Sequence, residues 1–80
     1  MSSIDEKLKD ILAKVLLIDK NAVSDDVSRK SLEEWDSMAH LMLVSEIESA
    51  FEVAMSDDDI MEVQTVADIK NILKKLGVTT

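Results

Sequence analysis

The sequence predicts an all-α domain: a four-helix bundle of three main helices and one short helix, with a long first loop. The chain of 80 residues has no proline and a single glycine, Gly77, whereas tight turns in β-sheet proteins are built largely from these residue types. Apolar residues make up 46% of the chain, and most recur at the three- and four-residue spacing of amphipathic helices. We expect one domain over residues 1–80, because this length supports a single core.

The first helix is predicted from about Ser3 to Leu17. Ser3 with Glu6 three residues later has the form of a capping box, which defines the start of a helix. The apolar residues of this segment form one stripe at helical spacing: Ile4, Leu8, Ile11, Leu12, Val15 and Leu16. We expect this stripe to face the core.

Helical periodicity is lost between about Ile18 and Asp36. The segment is rich in Asn, Asp and Ser, which hydrogen-bond their own backbone and favour turns over helices. Apolar residues spaced along it are expected to anchor it to the core: Ile18, Val23, Val27, Leu32 and Trp35. We predict an ordered loop that includes a short helical turn.

The second helix is predicted from Ser37 to about Phe51, with Asp36 as its N-cap. Its inward stripe is expected to contain Leu43, Val44, Ile47, Ala50 and Phe51.

Two more helices follow a break at residues 52–55. Ser56 caps a short third helix that begins with Asp57, Asp58 and Asp59 and ends near Glu62. Thr65 caps the last helix, and Gly77 is expected just past its end. The apolar stripe of the last helix is Val66, Ile69, Ile72, Leu73 and Leu76.

The charge distribution indicates a protein partner rather than a nucleic acid. The net charge is −8, and all nine Lys and Arg residues lie at or before Lys30 or at or after Lys70. The intervening acidic surface would repel nucleic acid and anionic lipid and attract a basic patch on a partner protein. Improved solubility alone explains such a surface equally well.

The sequence also limits the compartment and the kinds of site. No apolar run approaches the ~20 residues of a membrane-spanning helix, and residues 1–6 do not have the pattern of a signal peptide. We therefore expect a cytoplasmic protein. Because there is no cysteine, disulfides and thiolate metal sites are excluded.

Two catalytic or metal-binding interpretations are weak. Ser37 and His40 are three residues apart on one helix, but a serine hydrolase also needs an oriented base and an oxyanion hole. We expect His40 to be a solvated or partner-facing residue instead. The acidic run at residues 57–59 lacks the alternating ligands and central glycine of a calcium loop, so we expect it only to start a helix. We predict no catalytic residue and no metal ligand.

The segment Glu34-Trp35-Asp36-Ser37-Met38-Ala39-His40-Leu41 resembles the acyl carrier protein family. That family carries Asp-Ser-Leu at the start of its second helix, and Asp36-Ser37-Met38 differs from it only in the methionine. The resemblance continues through Glu48-x-x-Phe51 and the Thr65-Val66 pair, so it covers nearly the whole chain.

The resemblance implies a carrier rather than an enzyme. A phosphopantetheinyl transferase would transfer 4′-phosphopantetheine from coenzyme A to Ser37, with magnesium, beside Asp36. The chain, expected to be a monomer, would then carry acyl or aminoacyl groups as thioesters between loading and accepting enzymes that have basic patches. The physics agrees, because a serine in the first turn of a helix lies beside free amides that favour a phosphate. The alternative is an unmodified acidic helical adaptor for a basic partner protein.

The exposed face of the second helix is predicted to recognise partners through Met38, Leu41, Met42, Glu46 and Glu48. Trp35 is expected to act as a hydrophobic staple between loop and helix. This helix is less acidic than those of carriers in fatty acid biosynthesis, and Trp35 precedes the Asp-Ser pair. Both features resemble carriers of dedicated pathways for secondary metabolites such as polyketides or nonribosomal peptides, for surface polysaccharides, or for lipids. Housekeeping fatty acid synthesis is the alternative.

Overall fold

The computed structural model describes residues 4–78 as a helical bundle. Its elements are α1 (Ile4–Leu16), a 3₁₀ helix (Lys20–Ala22), α2 (Ser37–Phe51), α3 (Asp57–Glu62) and α4 (Val66–Lys75). Within residues 4–78, strand-like pairing is limited to one isolated bridge between Ser28 and Thr65. The predicted all-α, four-helix architecture is therefore confirmed. The Ser3 capping box lies outside the described residues.

The core is aliphatic and is formed by the predicted stripes of α1, α2 and α4. Its most completely buried side chains are Leu8, Leu12, Leu16, Leu43, Ile47, Val66, Ile69 and Leu73. Phe51 is half-buried against this core. Ala50, which the periodicity assigned to the same stripe, is exposed, and its single methyl group loses little by remaining outside. None of the helices in residues 4–78 combines the length and apolar character needed to span a bilayer.

Helices α1 and α2 run antiparallel. Lys14, near the end of α1, forms an ion pair with Glu46 of α2. Lys7, near the start of α1, has its Nζ atom 5.7 Å from the ring centroid of Phe51, at the end of α2. The end of α1 therefore lies at the same end of the domain as the start of α2.

The opposite end of the domain is held together by Lys70 of α4. Its Nζ atom lies 2.9 Å from an oxygen of Asp5 in α1 and 2.6 Å from an oxygen of Asp25 in the long loop. These carboxylates raise the pKa of Lys70, with Asp25 the larger cause. Because Asp5 is near the start of α1, the loop around Asp25 lies at the end of the domain away from Ser37.

The long loop is ordered because it pairs with the start of α4 through its backbone. Alternate loop residues make the three bonds: Arg29 N–H to Gln64 O (2.9 Å), Val66 N–H to Val27 O (3.0 Å) and Ala67 N–H to Asp25 O (3.3 Å). Of the predicted anchors, Val23 and Trp35 are buried, whereas Ile18, Val27 and Leu32 are half-buried against the core. The predicted helical turn is the 3₁₀ helix.

The three main helices end in the same hydrogen-bonded motif. In each, an N–H two residues past the end of the helix (three for α4) donates to the carbonyl five residues earlier: Ile18 to Ala13 (3.2 Å), Val53 to Glu48 (3.1 Å) and Val78 to Leu73 (2.9 Å). This Schellman arrangement needs a left-handed residue in between, usually glycine. Gly77 fills that position after α4 with φ of 91°, as predicted, but Leu17 and Glu52 fill it with φ of 57° and 55°.

Helix α3 begins with a capping box and is held by an ion pair to α4. Ser56 and Asp59 exchange bonds of 3.2 and 3.1 Å between side chain and backbone. The Asp59 side chain is covered and ion-paired with Lys75. The acidic run therefore stabilises the start of a helix. Residues 4–78 contain no group of three or more His, Asp or Glu side chains that could hold a metal ion.

The Asp59–Lys75 ion pair is expected to make the domain less stable at acidic pH. Lys75 and the Ser56 backbone N–H lower the pKa of Asp59. The folded state therefore releases the Asp59 proton more readily than the unfolded state does. The contribution of the Asp59 carboxylate to the free energy of unfolding is therefore complete above about pH 4, the pKa of this group in the unfolded chain. It is lost as the pH falls through the lower pKa that the group has in the folded protein.

Urea denaturation at several pH values between 7 and 3 tests this expectation. Asp59→Asn should be less stable than the wild type at pH 7, and the difference should shrink as the pH approaches 3. Asp57→Asn is the matched control, because Asp57 is exposed and has no ion pair within residues 4–78. A difference between Asp59→Asn and wild type that does not change with pH would contradict the assignment.

Candidate functional site

Ser37 is the first residue of α2, and its side chain is exposed. The residue before it, Asp36, is in an extended conformation and caps the helix, with Oδ1 accepting from the Ala39 N–H at 2.8 Å. Its carbonyl accepts from the His40 N–H at 2.9 Å. The Ser37 hydroxyl has no hydrogen-bond partner within residues 4–78, so it is accessible for modification.

The start of α2 differs electrostatically from the starts of the next two helices. At α4, the first amides are satisfied by the long loop and by Thr65. At α3, the first turn carries its own acidic side chains. At α2, the acidic residue is the capping Asp36, which binds the Ala39 N–H, and the N–H groups of Ser37 and Met38 have no partner within residues 4–78. These amides and the helix dipole favour a phosphate attached at Ser37.

His40 is buried, so the prediction that it faces solvent or a partner is wrong. It is 5% exposed, and both ring nitrogens are engaged. Trp35 Nε1 donates to His40 Nδ1 at 3.0 Å, and His40 Nε2 lies 2.9 Å from the carbonyl oxygen of Ile60 in α3. Since an indole N–H only donates, Nδ1 must accept and Nε2 must carry the proton. The physical reason is that this position of α2 faces the tryptophan just before the N-cap.

The Trp35–His40–Ile60 bridge joins the loop, α2 and α3 beneath Ser37. Trp35 is 2% exposed, and the centroids of its ring and the His40 ring are 6.2 Å apart. These two residues occupy the positions of a hydrophobic staple, as predicted for Trp35, with a hydrogen bond added. Since both His40 nitrogens are used, this side chain has no free nitrogen to act as a base for Ser37.

The apolar residues predicted to recognise partners are exposed on α2. Met38 is 73% exposed, Leu41 64% and Met42 51%. Met61 of α3, which the sequence did not single out, is 74% exposed. These large apolar side chains are available to a partner surface, and their role in recognition stays a prediction.

The two acidic residues predicted for recognition are both engaged within the domain. Glu46 is ion-paired with Lys14, and Glu48 Oε2 accepts from the Met55 N–H at 2.8 Å. The exposed carboxylates without an ion pair in residues 4–78 are elsewhere, and they include Glu33, Glu34, Asp57 and Asp58. Glu33 and Glu34 lie close to the Asp-Ser motif in the sequence, and that closeness is the signal that could have identified them.

Substitution of Asp36 is expected to separate its capping role from its charge. Asp36→Ala should lower the free energy of unfolding by about 1 kcal/mol, because the Ala39 N–H loses its acceptor. Asp36→Asn should remain close to wild type, because the amide oxygen still accepts that bond. Urea denaturation of both variants measures this, and equal losses would mean that the charge rather than the acceptor holds the turn.

Comparison with known proteins agrees with this geometry. The family described as "phosphopantetheine attachment site" matches residues 6–73, a span that includes the start of α2. The chain is also similar to the acyl carrier protein of Aster yellows witches'-broom phytoplasma (strain AYWB). The two are 36% identical over 66 residues, which cover 82% of this chain and 87% of the relative.

A phosphopantetheine group fits what the start of α2 offers: an exposed hydroxyl and two free amides directly after the Asp36 cap. With these matches, the chain belongs to the acyl carrier protein family, whose members carry phosphopantetheine and are not themselves enzymes.

Proposed function

We propose that Ser37 is the residue to which phosphopantetheine is attached, and that the whole chain, residues 1–80, is one carrier domain. The observation that supports this most is the free, exposed Ser37 hydroxyl directly after the Asp36 cap. The bridge beneath it fixes the turn that presents this hydroxyl to an enzyme.

In this function the chain binds and presents, and other proteins perform the chemistry. The Ser37 and Met38 amides would hold the phosphate of the arm, and Asp36 would keep the turn in place. The terminal thiol of the bound arm supplies the thioester that carries an acyl or aminoacyl group. Because His40 has no free nitrogen, the base that removes the Ser37 proton must come from the phosphopantetheinyl transferase.

We further propose that the carrier, a cytoplasmic monomer, serves a dedicated biosynthetic pathway rather than housekeeping fatty acid synthesis. Its α2 has only two acidic residues, Glu46 and Glu48, and both are engaged within the domain. An enzyme specific for this carrier would therefore depend more on the apolar residues of α2 than on its charges. Loading and accepting enzymes with basic patches would still be attracted by the carboxylates around Ser37.

Intact mass spectrometry tests the attachment residue. The apo protein is incubated with coenzyme A, magnesium and a broad-specificity phosphopantetheinyl transferase. Wild type should gain the mass of one phosphopantetheine, and Ser37→Ala should gain none while keeping its thermal stability. Ser45→Ala, which changes another exposed serine of α2, is the control and should be modified like wild type.

Modification of Ser37→Ala would overturn the choice of residue. If several transferases failed to modify folded wild-type protein, the result would support the unmodified adaptor that binds a basic partner.

A further inference from the structure

The end of the core nearest Ser37 differs in composition from the rest of the core. The first buried side chains on either side of Ser37 are Trp35, Ala39 and His40. Trp35 and His40 are 2% and 5% exposed, and their rings are inclined by 27° with centroids 6.2 Å apart. The other buried hydrophobic side chains of residues 4–78 contain no aromatic ring. An apolar group on an arm at Ser37 therefore meets two rings before it meets the aliphatic core.

The Trp35–His40–Ile60 bridge also closes the boundary between α2 and α3 at this level. The indole N–H donates to His40 Nδ1 at 3.0 Å, and His40 Nε2–H donates to the Ile60 carbonyl at 2.9 Å. Within residues 4–78, every buried side-chain nitrogen and oxygen has a hydrogen-bond partner. Moving α3 away from α2 here would leave the indole N–H and the Ile60 carbonyl unpaired among apolar atoms, which is costly.

This arrangement opposes the burial of a long acyl chain. Such a chain gains free energy on leaving water, in proportion to the apolar area that it buries. To enter the core beside His40, however, it must displace a ring and break the two bonds of the bridge. An alkyl chain has no donor or acceptor with which to replace them, so the displaced polar groups stay unpaired.

We infer that Trp35 and His40 close the core to the cargo, which therefore stays in solvent on its arm and is a short or polar acyl or aminoacyl group. This inference rests on the proposed function and names the class of cargo for it. A short or polar group buries little apolar area in any location, so it loses little by remaining hydrated. Its thioester also stays open to the accepting enzyme.

Loading the apo protein with two cargoes of different length tests the inference. A broad-specificity phosphopantetheinyl transferase attaches the acylated arm from acetyl- or octanoyl-coenzyme A. Hydroxylamine then takes the acyl group as a hydroxamate and leaves the thiol of the arm, which intact mass spectrometry follows. Relative to the matching coenzyme A thioesters, both cargoes should be cleaved at the same rate from the wild type. The octanoyl form should melt at the same temperature as the acetyl form.

Two substitutions in α2 identify the residue that excludes the cargo. His40→Ala removes a ring and both bonds of the bridge, so the octanoyl chain should enter the space. Its thioester should then be cleaved about fivefold more slowly than the acetyl thioester, and the octanoyl form should melt at the higher temperature. Val44→Ala is the matched control, because Val44 is buried one turn further along α2 and takes no part in the bridge. It should not distinguish the two cargoes.

Slower cleavage of the octanoyl thioester in the wild type would overturn the inference and leave the proposed function intact, because the protein had been loaded. Equal rates in a folded His40→Ala protein would overturn the role of His40. If that variant did not fold, the wild-type comparison would still decide, since a ¹³C-labelled octanoyl methyl should show no NOE to the methyl groups of Leu43 or Ile47. If neither cargo could be loaded, the proposed function would fail and this inference with it.

Discussion

Replacing His40 with alanine is expected to lower the free energy of unfolding by about 3 kcal/mol, a large share of the roughly 4–12 kcal/mol of a domain this size. The substitution leaves the Trp35 indole N–H and the Ile60 carbonyl without partners in a buried region. It also leaves a cavity next to the core. Urea denaturation followed by the fluorescence of Trp35, the single tryptophan of the sequence, measures the loss directly.

Two further substitutions separate the halves of the bridge. His40→Asn can place an amide oxygen near the position of Nδ1 and keep the bond from Trp35. His40→Gln can place an amide N–H near the position of Nε2 and keep the bond to Ile60. Each should be more stable than His40→Ala and less stable than wild type. If His40→Ala were as stable as wild type, the bridge would not contribute to holding α3 against α2.

Reversing the charge of Glu34 is expected to lower kcat/KM for modification by the transferase about tenfold at low salt. Glu34 is exposed, has no ion pair within residues 4–78, and lies two residues before Asp36, the cap of α2. Its carboxylate would attract a basic enzyme surface and increase the rate of encounter. The difference between Glu34→Lys and wild type should become small at about 0.5 M salt, because salt screens charges at the surface.

Asp26→Lys is the matched control for this prediction. Asp26 is an exposed loop residue beside Asp25, at the end of the domain away from Ser37, and its reversal gives the same change in net charge. It should have a much smaller effect. Equal losses in the two variants would mean that overall charge, not charge beside Ser37, controls the encounter. Glu46→Gln should also have little effect, because Lys14 already neutralises that carboxylate.

The helices were predictable because their signals are local. Residues close together in the sequence define both the apolar stripes and the helix caps at Asp36, Ser56 and Thr65. Helix α2 begins and ends where the sequence predicts. Ser37 was identified as the candidate site by the resemblance to the acyl carrier protein family, and the local Asp36 cap predicted its place in the first turn of α2. A capping residue needs only the three residues after it, so no long-range information is required.

The errors arose where residues distant in sequence decide the outcome. His40 is buried between the nearby Trp35 and the Ile60 carbonyl, and no local pattern indicates that a carbonyl twenty residues later accepts a hydrogen bond from its Nε2–H group. Glu46 and Glu48 contact Lys14 and the Met55 amide, which the sequence did not indicate, and their role in recognition stays a prediction. The left-handed Leu17 was hidden for a different reason, since the usual signal for that conformation is glycine.

The pairing of the long loop with α4 determines which changes of sequence and length this loop can tolerate. Arg29, Val27 and Asp25 meet residues 64–67 through main-chain atoms, which every amino acid except proline can supply in the same way. The spacing of the paired residues is therefore fixed, while the identity of the exposed residues between them is not. Asp26 should accept many replacements, but inserting or deleting one residue between Asp25 and Arg29 would shift the pairing and leave the Val66 and Ala67 amides without their acceptors. The loop is constrained in length rather than in composition.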